Sequence, residues 1–421
     1  MNRALSSESL PKAIVAALKG DAAIAGARTF AQQAATDAAP DELPELSTAE
    51  LGANLADFWR FGERRRGRAP MIRIERAIGG RGDARLDRLE IVQDDAPFLV
   101  DSIMGEIAEQ GLSVRALFHP IVEVQRDRTG VRGGAGVSRR ESMIQVFLDP
   151  IGADREAALI RGLTETLKDV RAAVDDFPEM LALMARTLAE LEAHARKATP
   201  EEIAFLQWLE AAQFVFLGAR VYEYPRLKNG DYAAEEPLYQ AKDGLGVLRD
   251  PQRTVLRRAN EPAILLGKVK DRLLSDPALT VAKSNVRSKV HRRAYMDYVG
   301  IKRYGSDDRP IGEVRFVGLF TAEAYDQPAN VVPLIREKVG NVLRRADMAP
   351  GSHNEKRLKN IVENHPRDEL FQMTEDDLLT EALGILHLND RPRVRLFERR
   401  DPFDRFASLL LFLPRDHYNS D

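Results

Sequence analysis

No cysteine occurs in the 421 residues, which excludes disulfides, thiolate nucleophiles and Cys-ligated metal sites. An excess of charge of one sign is also missing. Sixty-two Lys and Arg stand against 65 Asp and Glu, a net −3, whereas a general nucleic-acid or acidic-membrane binder carries a basic surplus. No apolar run reaches the roughly 18 residues that span a bilayer. The opening MNRALSSESLPKAIVAALKG sets its short apolar stretch behind Ser and Glu rather than a basic cluster. It does not read as a signal peptide, and a cytoplasmic protein is the default. Catalytic signatures are missing too. Three stretches begin as GxG, at Gly80, Gly134 and Gly244, but carry Arg85, Arg139 and Arg249 where a third glycine belongs. None lies between the strand and helix of a βαβ unit, as dinucleotide binding requires. Gly267-Lys268 has no glycine five residues upstream, the seven histidines show no metal-ligand spacing, and no GxSxG occurs. No residue is therefore given a catalytic, cofactor-binding or metal-ligating role.

What is present is an ordinary globular composition, 44% hydrophobic and 30% charged, long enough for roughly two to four domains. Residues 1–35 are Ala-rich and helical in pattern, and residues 36–47 form a Pro- and acid-rich break. Ser47 or Thr48 caps a helix running to Gly62, with Leu51, Leu55, Phe58 and Trp59 on one face. The basic run over residues 64–68 reads as a solvated linker. Residues 71–78 alternate as a strand.

Residues 86–124, LDRLEIVQDDAPFLVDSIMGEIAEQGLSVRALFHPIVEV, hold the densest signal. The order is strand, acidic turn, amphipathic helix, Gly stop, strand. Asp95 reads as the N-cap with Pro97 in the first turn, and Gly111 as the residue after the helix. Residues 113–124 read as one strand, 127–140 as a mobile hairpin loop, and 143–148 as a third strand. Asp154 caps a second helix carrying Ile160, Leu163 and Leu167, and residues 170–174 supply a fourth strand. The sum is a βαββαβ (ferredoxin-like) sandwich, the layout of ACT-type small-molecule sensors.

A connector helix follows with Met180, Met184, Leu188 and Leu191 in line. Thr199-Pro200-Glu201-Glu202 is a capping box that opens a new domain. That domain reads as a helix at 200–212 and strands at 214–224, 279–283, 295–304 and 311–321, the last two joined by GSDDRP. A helix at 329–346 covers them, giving an α+β antiparallel sheet. Helices at 354–364 and from Thr374 lead to a hairpin over residues 392–414. A hairpin alone is marginal in water, so Asp421 is not expected to be the natural end of a domain.

The candidate ligand site is the turn Asp94, Asp95, Ala96, Pro97 with Asp101 in the helix it opens. A helix N-terminus offers free N–H groups to a carboxylate. The two neighbouring aspartates repel an anion but pair with the ammonium of an amino acid. The competing reading is that Asp95 only caps, Asp101 is solvated and Phe98 belongs to the core. The segment KSNVRSKVHRRAYMDY at 283–298 is either a partner or anion surface, or a strand connection with solvated Arg and Lys.

QDDAPFLVDSIMGEIAEQGLSVRALFHPIV, MIQVFLDP, RRAYMDYVGIKRY and GEVRFVGLFT occur in the order found in the N-terminal region of the large bacterial NAD-dependent glutamate dehydrogenases, which the chain resembles from Met71 onward. RLFERRDPFDRFASLLLFLPRDHYN resembles the start of that family's second ACT-like domain. The resemblance implies an ACT-like domain at 71–175, a PAS-like domain at 200–346 and an incomplete second ACT-like domain at 392–421; the sequence pattern adds a helical segment at 1–70, a connector helix at 176–199 and a helical connector at 347–391. It implies NAD and glutamate chemistry beyond Asp421, no cofactor in this chain, and a regulatory or assembly role. The partners it implies are an amino-acid effector, the chain's own catalytic region and other subunits of a homo-oligomer, with neither nucleic acid nor membrane among them. A free-standing amino-acid sensor and a ligand-free oligomerisation scaffold are the alternatives. The chain departs from the ACT pattern in having Phe98 where a glycine normally follows the Pro. A Cβ there keeps a ligand off the backbone, which favours assembly.

Overall fold

The computed structural model describes residues 8–18, 26–36, 38, 46–80, 85–133, 136–194, 197–224, 226–232, 244–253, 277–388, 393–400 and 407–414. They fall into two compact units. One comprises Met1–Arg171 with Lys289–Arg293, the other Ala172–Ser288 and Ala294–Asp421.

The first unit opens with helices α1 (Ser9–Ala17), α2 (Ala27–Thr36) and α3 (Thr48–Phe61). Ser47 caps α3 as the sequence predicts. Its Oγ accepts from Glu50 N at 3.2 Å, and Glu50 accepts in return from Ser47 N at 2.8 Å. Such a cap is worth about 1 kcal/mol. Gly52 lets α3 approach α1 closely, because a Cβ there would lie 2.8 Å from the Ala13 backbone.

Strands β1 (Met71–Arg76), β2 (Asp87–Asp94), β3 (Val114–Phe118), β4 (Ile121–Gln125) and β5 (Ser138–Leu148) form an antiparallel sheet. The order is β1-β2-β5-β3, and β4 also pairs with β5. Side chains alternate between its faces. Val92, Met143 and Phe147 share a core with Leu10, Phe30, Leu55, Phe58 and Trp59 of α1–α3. Leu89, Ile91, Ile144 and Val146 point the other way and are equally buried, as are Leu99, Ile103 and Ile107 of α4 (Leu99–Glu109) and Leu159, Leu163 and Leu167 of α5 (Ala153–Asp175). With both faces covered, β2 is buried along nearly its whole length. Each fully buried Leu, Ile or Phe contributes about 1.5–3 kcal/mol.

Several expectations are corrected here. Residues 170–174 are the end of helix α5, not a strand. Ala172 and Ala173 favour helix, and Val170 and Ala173 are buried. The edge beside β2 that the fourth strand of a βαββαβ sandwich would take is filled by β1, antiparallel to it. The single strand at 113–124 is two, parted at His119-Pro120, where proline lacks an N–H and restricts its predecessor. Pro120 still accepts from Met143 N at 3.0 Å. Asp154 lies inside the first turn of α5, not at its cap. The linker reading of 64–68 fails at Arg65, which is buried against Asp94 and Glu141 at 2.7 and 2.9 Å. The excursion at 127–140 is not a mobile loop where it is described. Asp127 Oδ1 accepts from Thr129 N and Val131 N at 2.8 and 3.0 Å, and Arg65 N donates to Gly130 O at 2.9 Å. Residues 138–140 already belong to β5. Residues 81–84 and 134–135, within two of the GxG stretches, lie outside the described residues, as do most of the break at 36–47 and the turn of the final hairpin.

The second unit begins with α6 (Phe177–Ala193) and α7 (Pro200–Trp208). Thr199 forms the expected capping box with Glu202, whose other oxygen accepts from Leu279 N at 3.0 Å and ties the cap to the sheet. The helix expected at 200–212 departs from regular α geometry after Trp208, with Ala212 at φ 61°. Strands β6 (Phe214–Glu223), β7 (Leu245–Gly246), β8 (Leu279–Arg287), β9 (Tyr295–Tyr304) and β10 (Pro310–Phe320) order as β7-β6-β10-β9-β8, all antiparallel. Met180, Met184, Leu188, Leu191, Phe205 and Leu206 pack on one face, against Phe216, Val299, Ile301 and Phe316. The other face carries buried polar groups. Glu313 accepts from Tyr224 Oη at 2.7 Å, Arg315 Nε at 2.9 Å and Tyr298 Oη.

Five helices follow: α8 (Ala322–Asp326), α9 (Ile335–Arg345), α10 (His353–Glu363), α11 (Arg367–Gln372) and α12 (Glu375–Leu388). The helix expected at 329–346 starts only at Ile335, and the short α11 has no counterpart in the sequence reading. β11 (Arg395–Arg400) pairs with β12 (Ala407–Phe412) as the expected hairpin.

Candidate ligand-sensing site at the start of helix α4

Strand β2 ends at Asp94, and α4 begins at Leu99 with Phe98 as its N-cap. Phe98 has φ 68° and makes no side-chain cap. It therefore adopts the left-handed conformation that a glycine takes freely, at a cost of roughly 1–2 kcal/mol for a residue with a Cβ. Asp95 is not the cap, and Pro97 lies before the helix rather than in its first turn. The three residues between strand and cap move both out of reach. Phe98 is half-buried rather than core, and its ring lies 5.2 Å from that of His291.

The aspartates of the turn go to different partners. Asp94 binds Arg65 Nη1 at 2.7 Å and Arg68 Nε at 3.3 Å. Burial pushes its carboxyl up, but the two guanidinium groups outweigh that and hold it below the usual aspartate value. Arg65 also reaches Glu141, which is fully buried and is gripped from the other side by Arg126 at 2.7 Å. Asp95 pairs with Arg140 at 3.1 Å, and its N–H donates to Arg140 O at 3.0 Å. Ala96 is half-buried and Pro97 exposed. Asp101, in the first turn of α4, bonds His291 Nδ1 at 2.9 Å. The structure thus ties Asp94 and Asp95 to arginines and gives Asp101 a separate partner.

That partner belongs to Lys289–Arg293. His291 N–H donates to Ser102 Oγ at 2.9 Å, and Ser102 Oγ donates to Phe98 O at 2.5 Å. Arg293 pairs with the buried Glu106, which also accepts from Thr166 Oγ1 at 3.0 Å and Gln110 Nε2 at 3.2 Å. Lys289 meets Glu165 at 2.6 Å. Gly162 of α5 makes room for Glu106, since a Cβ there would fall 2.0 Å from Oε1. Three basic side chains of one short segment meet three acidic ones of α4 and α5. The segment at 283–298 is thus neither a free anion surface nor wholly solvated. Its Lys283 is largely buried and binds Asp297 and Asp368 at 2.6 and 3.1 Å. Sequence reasoning missed Glu106 and its partners. The available signal was an acid at a helical position flanked by Ile103 and Ile107, on the apolar face.

The arrangement defines an α+β protein built on an ACT domain. Residues 30–163 match the family model described as glutamate dehydrogenase, ACT1 domain. Residues 332–391 match glutamate dehydrogenase, helical motif 1, and residues 395–421 match glutamate dehydrogenase, ACT2 domain. Curated relatives are NAD-specific glutamate dehydrogenases. That of Halomonas elongata is 36% identical over 79% of this chain and 21% of its own length. That of Pseudomonas aeruginosa is 32% identical over 96% of this chain and 25% of its own, and that of Mycobacterium tuberculosis 28% over 94% and 23%. The chain belongs to the NAD-specific glutamate dehydrogenase family, and it spans about a quarter or less of the length of these relatives.

Proposed function

We propose that this chain is the N-terminal regulatory and assembly region of an NAD-dependent glutamate dehydrogenase. The enzyme as a whole would convert L-glutamate, NAD and water to 2-oxoglutarate, ammonia and NADH, with the catalytic domain and its NAD outside this chain. The observation that carries the reading is the order ACT1, helical motif 1, ACT2 along one chain. In this reading the unit around β6–β10 is PAS-like, which its five-stranded antiparallel sheet with helices on one face supports. The lack of cysteine suits a reducing cytoplasm. The partners are the downstream catalytic region and other copies of the subunit.

Within that role the α4 turn serves assembly first. Lys289–Arg293 already sits on Asp101 and Glu106, and Phe98 crowds the backbone. A second reading, amino-acid sensing, is supported by Asp101, whose carboxylate is more than half exposed and suits an ammonium group. A thermal-shift panel of amino acids, 2-oxoglutarate and NAD on the full chain separates them. A ligand at about 100 times its Kd stabilises by roughly 2.7 kcal/mol. Assembly predicts no shift from any of them. A shift with one amino acid that vanishes in Asp101→Ala establishes sensing, and a shift with NAD overturns the assignment of the cofactor to another region.

A further inference from the structure

The helical motif and the final hairpin border an open groove of about 710 Å³. Its floor is apolar, with Ile361 of α10, Ile385 and Leu388 of α12 and Phe412 of β12. Its walls carry His353, Lys356, Arg357 and Arg393, and among the described residues no Asp or Glu lines it. This is a local departure from a chain in which acids outnumber bases. A second groove of about 440 Å³ adjoins, sharing Leu388 and Arg393 and adding His387 and Arg395. Among the described residues its lining also lacks acids.

Among the described residues little of this charge is paired, although Lys356 is attracted by Glu355 of the same helix. Lys359, one turn along α10, pairs with Glu355 at 2.6 Å. Among the described residues, Lys356, Arg357 and Arg393 have no such ion pair. Arg395 is held in place by Gly384 O at 3.4 Å and lies 4.8 Å from the Phe397 ring. Cations gathered around one hollow make it a favourable place for an anion. The volume falls in the range of small-molecule sites, about 300–1,000 Å³, and an apolar floor with a few converging polar groups is their usual lining.

We propose that this groove binds a small amphipathic anion, one that sets a phosphate or carboxylate head against Lys356, Arg357 and Arg393 and lays an apolar body on Ile361, Ile385 and Phe412. Such a site lies in the helical motif and is independent of the α4 turn. It adds a second effector position to the regulatory role.

The test is calorimetric titration of the full chain with ATP, decanoate and inorganic pyrophosphate. ATP presents a phosphate head with an aromatic base that can lie on the apolar floor, decanoate a carboxylate head on an alkyl tail, and pyrophosphate charge alone. ATP or decanoate should bind saturably, and roughly tenfold or more tighter than pyrophosphate, about 1.4 kcal/mol. Binding of ATP alone identifies a nucleotide-like ligand, and binding of decanoate alone an acyl carboxylate. The double variant R357E/R393E should lose at least roughly tenfold in affinity at unchanged melting temperature. K356E, at an exposed position, carries the same test should the double variant fold poorly. No saturable binding of either amphipathic anion, pyrophosphate binding as tightly, or unaltered affinity in the charge-reversed chains would each overturn the assignment.

Discussion

At Phe98 strain and contact can be separated. The left-handed backbone costs roughly 1–2 kcal/mol for a residue with a Cβ, and the ring is held by His291. Phe98→Gly removes both the strain and the ring, whereas Phe98→Ala removes only the ring. The glycine variant should therefore be the more stable of the two by about 1 kcal/mol in urea denaturation, the reverse of the order in helix interiors. Equal stabilities would mean that the turn relaxes when the ring is gone. Glu141 is a second test at this scale. It is buried between Arg65 and Arg126, so Glu141→Gln keeps the shape and leaves two buried cations facing each other. The expected loss is about 3–5 kcal/mol, and a midpoint within error of the parent chain would show that water or Asp94 takes over the countercharge. Phe98 stands out in the sequence as a side chain where a glycine is usual; Glu141 does not stand out. Glu141 lies between the stretch read as a hairpin loop, 127–140, and the strand read at 143–148, and only the register of β5 against β2 and β4 turns it inward.

Elements are legible where local chemistry decides them. Ser47 with Glu50 and Thr199 with Glu202 mark two helix starts correctly because the capping atoms lie within three residues of each other. Gly111, at φ 63°, ends α4 for the same reason. Residues 170–174 and Asp95 are misread because their outcome depends on distant partners. β1 already occupies the edge a fourth strand would take, and Arg140 claims Asp95. Of the candidate site, the turn was legible but the segment bound to it was not, since 190 residues separate Asp101 from His291. The packing of the later helices yields a pH prediction. His365 lies at the end of α10, and burial pushes its pKa down to about 4 against the pull of Glu369. Glu381 lies 3.7 Å away, and Arg367 adds to the lowering. The folded chain therefore binds the proton less readily than the unfolded chain. The stability this confers is complete above about pH 6.5, is lost as the pH falls through 4, and is on the order of 3 kcal/mol at most. Asp297, pushed up to about 6 by burial, has the opposite sign. Its contribution is complete below 3.8 and lost as the pH rises through 6, so it offsets part of the acid loss. The His365→Asn variant should lose less of its melting temperature between pH 7 and 4.5 than the parent chain does. A parallel decline in both would remove His365 from the account.

At the scale of the whole molecule the chain holds separate cores. One is closed by α1–α3 over the first sheet, one by α6 and α7 over the second, and one by the helices from Ile335 to Leu388. Cores of this kind rarely melt in a single two-state step in a chain of this length. Scanning calorimetry should therefore show more than one transition, and variants should sort between them by core. Ser47→Ala removes the cap of α3 and should lower the transition of the first unit by about 2–4 °C for a loss near 1 kcal/mol. Thr199→Ala removes the cap of α7 and should lower a different transition by a similar amount, since its partner Glu202 is also bonded to Leu279 of the second sheet. If either substitution moves every transition together, the cores unfold as one body.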